Sequence, residues 1–297
     1  MTILEDPVDA CRRLQREGRG ADAEAMAHAA LADCERLYGR DDPSVGRCLA
    51  TLGEMKVQNQ HARDALGPLA RAFELLSPIA AERRRAADVL DWQGRAYEAL
   101  GEPKQAEHAY VEGMHFREKA FGKGAPEVAD SMDLLYRLYH GAARHDDAHA
   151  EAALRRGLEV LSAAGGEHVP HVIDELRALG RLFEEEHRWQ EAVVPYERAV
   201  RLEAGLHGPE SLALGPMLHD LGRACLHAGD VEHAEGYLRR ALAFVDAQHG
   251  GTPEKAYPIA KDLADTLRAA GKPAEQQQFE ALAVMIRAQS TRPPPHP

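Results

Sequence analysis

Three stretches decide the fold: LDWQGRAYEALGEPKQAEHAYVEG (90–113), LRALGRLFEEEHRWQEAVVPYERA (176–199) and LHDLGRACLHAGDVEHAEGYLRRA (218–241). Aligned, they place a small residue after the first apolar pair at Gly94, Gly180 and Gly222, and a second one twelve positions later at Ala106, Ala192 and Ala234. Working outward, the first slot continues as Cys11, Gly53, Tyr136 and Ala264, and the second as Ala23, Ala65 and Ala150. Ala150 comes fourteen residues after Tyr136, so that copy carries a two-residue insertion. A third slot holds Gly39, Gly122, Gly166, Gly208 and Gly250. Coupled slots recurring in this way establish an internal repeat, and a period of 42 divides the 297 residues into seven copies with three left over.

Each slot has a mechanical meaning. Apolar residues recur at helical spacing within a copy (Leu90, Tyr97; Leu176, Leu179, Phe183; Leu218, Leu221, Cys225), which predicts an amphipathic first helix. A glycine or polar break follows at Gly18, Gly101, Gly229 and Gly271, where the chain reverses. Pro103 and Pro273 then suit the first turn of a second helix, where a missing N–H costs nothing. The small slots let the two antiparallel helices approach to about 8 Å, the short end of the usual range. The third-slot glycine suits a left-handed C-cap, and Pro43, Pro126, Pro170, Pro209 and Pro253 are expected to launch the next helix. Each copy therefore reads as a helical hairpin, and the chain as an all-α protein of fourteen helices. One hairpin cannot bury its apolar face alone; stacking builds a continuous core, so a single domain is expected.

The set Gly94, Tyr97, Ala106 and Tyr110 resembles the tetratricopeptide repeat, whose usual period is about 34 residues. The longer period, with the linkers YGRDDPS (38–44), FGKGAPE (121–127), HGPE (207–210) and HGGTPE (249–254), resembles the kinesin-light-chain subtype. The resemblance covers residues 4–290. It implies a right-handed superhelical solenoid of about seven repeats with units near 4–45, 46–86, 87–128, 129–172, 173–214, 215–256 and 257–290. It also implies that first helices line the concave side. Tyr136 at a small slot and Gln276 in place of alanine depart from the pattern. The junction LSPIAAERRRAAD (76–88) lacks the Gly–Pro linker, so a bend or slip is expected there. The end, TRPPPHP (291–297), reads as a disordered proline-rich tail.

Composition narrows the function classes. Hydrophobic residues at 44% and a mean hydropathy of -0.44 fit a soluble chain able to bury a core. Aromatics at 5% disfavour an all-β sandwich. No apolar run approaches the roughly 18 residues of a bilayer span, and the start, MTILEDPVDACRR, has no apolar signal-peptide core. A cytoplasmic location is therefore expected. The net charge of -12 argues against a general nucleic-acid or membrane-surface binder, since both need clustered positive charge. Cys11, Cys34, Cys48 and Cys225 form no metal-ligand spacing and read as reduced thiols. Arginine far exceeds lysine, an association with GC-rich bacterial genomes.

No phosphate loop, HExxH, GxSxG or CxxC is present, so no enzyme chemistry and no cofactor are expected. The most metal-like group is His140, His145, Asp146, Asp147 and His149, with His145 and His149 at the i, i+4 spacing of one helix face. With no third distant ligand, the simpler reading is a solvated turn whose aspartates cap a helix. Cys11 and Cys225 fall at inter-helix slots and suit small core residues. Trp92 and Trp189 are either peptide anchors or packing residues, and packing is the simpler role.

The residue after the first small slot is more informative: Arg12, Glu54, Arg95, Arg137, Arg181, Arg223 and Asp265. The resemblance places this slot on the concave groove. One turn earlier on the same face lie Asp91, Asp133, Arg177, His219 and Lys261. Asp91–Arg95 and Asp133–Arg137 are i, i+4 pairs worth about 0.2–0.5 kcal/mol each, and such pairs merely neutralise a surface. In the later copies the preceding residue is cationic, so Arg177, Arg181, His219, Arg223, Lys261 and Arg268 have fewer local partners, tempered by Asp174, Glu184 and Asp220. Such a groove suits carboxylates. The lysine and asparagine set of the family's C-terminal carboxylate clamp is absent, so chaperone-tail binding is not expected.

These readings converge on an interaction module or scaffold that binds a peptide or protein, an acidic segment in particular, at Arg95, Arg137, Arg177, Arg181, His219, Arg223 and Lys261. The alternative is a peptide-responsive sensor that controls a partner enzyme or transcription factor. A metal-assisted enzyme at His140–His149 is the least favoured.

Overall fold

The computed structural model describes residues 7–141, 145–247 and 253–290. Among these residues the regular structure is fourteen α-helices and two short 3-10 turns, without a strand. The tail at 291–297, Gly250 and most of the 249–254 linker lie outside the described residues. The helices group into two compact units, Met1–Ala164 and Gly165–Pro297.

The first unit holds four hairpins: α1 (Pro7–Arg16) with α2 (Gly20–Tyr38), α3 (Pro43–Gln58) with α4 (Ala62–Leu76), α5 (Arg83–Ala99) with α6 (Pro103–Phe121), and α7 (Glu127–His140) with α8 (Asp147–Ala164). The second holds three: α9 (Val169–Glu185) with α10 (Trp189–His207), α11 (Leu214–Ala228) with α12 (Val231–Ala247), and α13 (Pro253–Ala269) with α14 (Pro273–Ser290). Inside each unit, helices of a hairpin pack on one another, and each second helix packs on the first helix of the next hairpin. That is the nearest-neighbour stacking expected of a repeat array.

The first slot is small because a large side chain sixteen positions later fills it. A Cβ at Gly94 would lie 2.3 Å from Tyr110 Cε1, and one at Gly180 would lie 2.5 Å from Tyr196 Cε1. The same clash arises at Gly53 with Leu69 (2.4 Å) and at Gly222 with Leu238 (2.7 Å). Where the slot holds the larger Cys11, the residue sixteen later is Ala27, and both lie in one buried cluster. Summed volume across the hairpin is thereby held near that of a packed core. The alanines of the second slot, Ala23, Ala65, Ala106, Ala150, Ala192 and Ala234, are fully buried.

The hairpin turn needs one residue in the left-handed region. Gly18, Gly101, Gly229 and Gly271 supply it with φ between 69° and 88°, and Gln60 (66°), His145 (46°) and His187 (58°) adopt it in the other copies. Linkers between hairpins follow the sequence reading at α3, where Pro43 opens the helix and the Asp42 carboxylate accepts the Ser44 N–H at 2.8 Å. Pro209 does not launch α11, which begins only at Leu214. The intervening segment is tied back instead, as the Ser211 hydroxyl donates to the buried Glu203 carboxylate at 2.6 Å. At the irregular junction 76–88, α4 and α5 remain packed through a 3-10 turn at Ala80–Glu82. Buried Glu82 there accepts from Arg47 and Arg85. The division of the chain falls elsewhere, at Ala164 and Gly165.

Candidate functional site

In the second unit the cations of the first helices are cross-linked by carboxylates from the neighbouring repeat. Arg177 on α9 donates to Asp220 Oδ2 on α11 at 3.3 Å. Arg223 on α11 reaches back as a fork to Glu184, Nε to Oε1 at 3.3 Å and Nη2 to Oε2 at 2.7 Å. His219 Nε2 meets Asp262 Oδ2 on α13 at 2.8 Å. Arg268 differs, pairing inside its own hairpin with Asp265 one turn earlier at 2.9 Å and with Glu280 of α14 at 2.8 Å. The sequence leads one to expect few local partners for these cations, and Arg177, Arg223 and His219 take distant ones instead. Side chains one repeat apart are stacked side by side, so the partner lies on the next helix rather than on the next turn.

This lattice is partly desolvated. Burial works against the Arg223 charge, but the hydrogen bond and charge of Glu184, with Asp220, hold its pKa above the usual guanidinium value. Tyr196 passes under Gly180 toward the same carboxylates. Its hydroxyl is buried without a hydrogen bond of good geometry, and burial, then the charges of Glu184 and Asp220 and the nearness of the Glu184 carboxylate, push its pKa up. Two cations of this face remain outside the lattice. Arg181 and Lys261 are exposed, and neither forms an ion pair among the described residues.

The first unit is arranged differently. Arg12 forks onto Glu54 of the next repeat (Nε to Oε1 3.3 Å, Nη2 to Oε2 3.0 Å), another ladder pair. Arg137 pairs within its helix with Asp133 at 3.6 Å, as the sequence implies. Arg95 does not pair with Asp91 and lies over the Trp92 ring, 4.9 Å from its centroid. The reason is Arg117 of α6, which is buried and must be neutralised. It takes Asp91, with Asp88 at 3.0 Å and Ser131 Oγ at 2.8 Å. Even so, burial raises the Asp91 pKa.

The histidine cluster is a capping device. His145 lies in the turn before α8, so it and His149 do not share a helix face. Asp146 Oδ1 accepts the His149 backbone N–H at 3.3 Å and meets its Nδ1 at 2.8 Å. Asp230 and His233 repeat this arrangement before α12. No group of three or more His, Cys, Asp or Glu among the described residues is placed to hold a metal ion. Trp92 packs against the core of the second and third hairpins, and Trp189 stacks on His227 with centroids 4.3 Å apart. Cys11 and Cys225 are buried in the hairpin cores.

Comparison with known proteins agrees with this construction. Two family profiles described as tetratricopeptide repeat match residues 176–247 and 12–44. Among solved structures, BtubC (BKLC) from P. vanneervenii is 20% identical, covers 82% of this chain and 94% of its own, and superposes with a TM-score of 0.61. A Podosopora anserina kinesin-light-chain chain of nearly identical TPR-like repeats is 21% identical over 71% of this chain and 99% of its own, with a TM-score of 0.56. The apo form of RapI is 9% identical over 95% of this chain and 74% of its own, with a TM-score of 0.59. At these identities the likeness is one of fold. A search of the curated proteins finds no match. No helix among the described residues is long and apolar enough to cross a membrane. Tetratricopeptide repeats imply protein–protein interaction. Residues 12–44 and 176–247 thus match tetratricopeptide repeats, and the chain is similar in fold to the kinesin-light-chain arrays.

Proposed function

We propose that this chain is a non-enzymatic scaffold, working in the cytoplasm without a cofactor, that receives an acidic segment of a protein or peptide on the face made by α9, α11 and α13. One observation carries the reading: Arg181 and Lys261 stay exposed and unpaired on a face whose other cations are clamped by carboxylates. The clamped residues are less available to a ligand, because pulling Arg223 or Arg177 away would strip Glu184 or Asp220 of its partner. Their role is to hold the face rigid and charge-balanced. Arg181 and Lys261 then supply the attraction, with Arg95 and Arg137 playing the lesser part in the first unit.

Exposed ion pairs contribute little singly, so affinity requires both cations together with apolar anchors on the ligand. The test uses synthetic peptides of alternating glutamate and leucine against versions with lysine in place of glutamate. The acidic set is expected to bind with marked salt dependence. Replacing Arg181 and Lys261 together with alanine is expected to weaken it about 3- to 10-fold at unchanged helicity. Replacing Arg95 and Arg137 together is expected to change it less. Equal binding of the lysine peptides, or a double variant that binds like the parent, overturns the proposal.

A further inference from the structure

Two of the four cysteines are brought together by the first inter-hairpin junction. Cys34 in α2 and Cys48 in α3 are 14 residues apart in sequence, and their sulfurs are 2.8 Å apart. A covalent S–S bond is about 2.05 Å, so closure requires only a sub-ångström approach. Both side chains are half-buried at the surface, within reach of a small oxidant. The other pair contrasts on each count. Cys11 and Cys225 are fully buried, in different compact units. Burial first, then the charges of Asp230 and Glu197, push the Cys225 thiol up to about 12, which keeps it protonated and inert.

We propose that Cys34 and Cys48 form an oxidisable dithiol, closed to an intrachain disulfide by hydroperoxide. One thiolate attacks the peroxide O–O bond, taking one oxygen as a sulfenic acid while the other leaves as water. The second thiol sulfur then attacks the sulfenic sulfur. The S–S bond forms, the S–O bond breaks, and the oxygen departs as water with the thiol proton. Two thiols and one hydrogen peroxide thus give one disulfide and two waters, each sulfur losing one electron. The bridge staples the C-terminal half of α2 to the second turn of α3, spanning the Gly39–Asp42 linker. Oxidation therefore fixes the first junction of the array, a modification independent of whether α9, α11 and α13 bind an acidic segment.

The experiment takes the full chain, reduced and freed of reductant, and adds one equivalent of hydrogen peroxide. Remaining thiols are blocked with a maleimide under denaturant, and peptides are mapped by mass spectrometry. The expected result is loss of two of the four thiols. A Cys34–Cys48 cross-linked peptide lighter by two hydrogens should account for them, from a chain still monomeric on a non-reducing gel and restored by dithiothreitol. In Cys48→Ser the sulfenic acid has no resolving thiol, so dimedone is expected to label Cys34 there and not in the parent. Full maleimide labelling of Cys34 and Cys48, pairing with Cys11 or Cys225, or disulfide-linked dimers overturns the proposal. So does accumulation of sulfinic acid in the parent, which means that the second thiol fails to resolve the first.

Discussion

Tyr110 and Tyr196 hold the same position in their repeats and lie against Gly94 and Gly180, yet their hydroxyls end differently. The Tyr110 hydroxyl donates to the Glu98 carboxylate, whereas the Tyr196 hydroxyl is buried without a hydrogen bond of good geometry. A buried hydrogen bond contributes about 1 kcal/mol, while an unsatisfied buried hydroxyl is a cost. Tyr110→Phe is therefore expected to destabilise by about 1 kcal/mol, and Tyr196→Phe to be neutral or stabilising, by urea unfolding. Equal losses at both positions would show that Tyr196 has a partner in solution. Part of this was readable in the sequence: glycine followed sixteen residues later by tyrosine or leucine marks a tight crossing. Which hydroxyl finds an acceptor was not, because Glu98 and Glu184 occupy equivalent positions and differ only in what surrounds them. Glu184 is already engaged by Arg223, and Glu98 is not.

At the scale of helices and turns, the repeat samples one backbone constraint seven times, which is why hairpins and most boundaries could be read from the sequence. The left-handed turn residue is glycine in four copies and Gln60, His145 or His187 in three. A non-glycine residue in that region carries roughly 1 kcal/mol of strain. Gln60 is exposed, and nothing lies near the place a Cβ would occupy at Gly229. Gln60→Gly is thus expected to stabilise by about 1 kcal/mol, and Gly229→Gln to cost about as much, with backbone strain the only term. Unchanged midpoints for both would mean that the turns relax freely. What the local pattern missed lay on other helices. The i, i+4 spacing predicted Asp91–Arg95, but Arg117 of α6 claims Asp91. Proline predicted the start of α11, but Glu203 of α10 holds the preceding turn through Ser211.

Over the whole molecule, charge is organised by the period. With hairpins stacked, residues about one repeat apart become neighbours, and Arg12/Glu54, Arg177/Asp220 and His219/Asp262 are opposite pairs 42 or 43 residues apart. This lattice was legible once the period was known, though not from local spacing. The two unpaired cations lack such a partner: the residues 42 and 43 after Arg181 are Arg223 and Ala224, and those 42 and 43 before Lys261 are His219 and Leu218, so neither finds a carboxylate in register. In a chain of net charge -12, two such cations on one face are a local exception that an acidic ligand can use. Zero-length carbodiimide coupling reads this contact directly, because it joins a carboxylate only to an amine it touches. With the glutamate–leucine peptide bound, Lys261 is expected to be the principal coupled lysine, and coupling is expected to fall when Arg181 is replaced by alanine. Coupling spread over Lys104, Lys119, Lys123 and Lys272 in proportion to their exposure, with Lys261 unmodified, would contradict the assignment of the binding face.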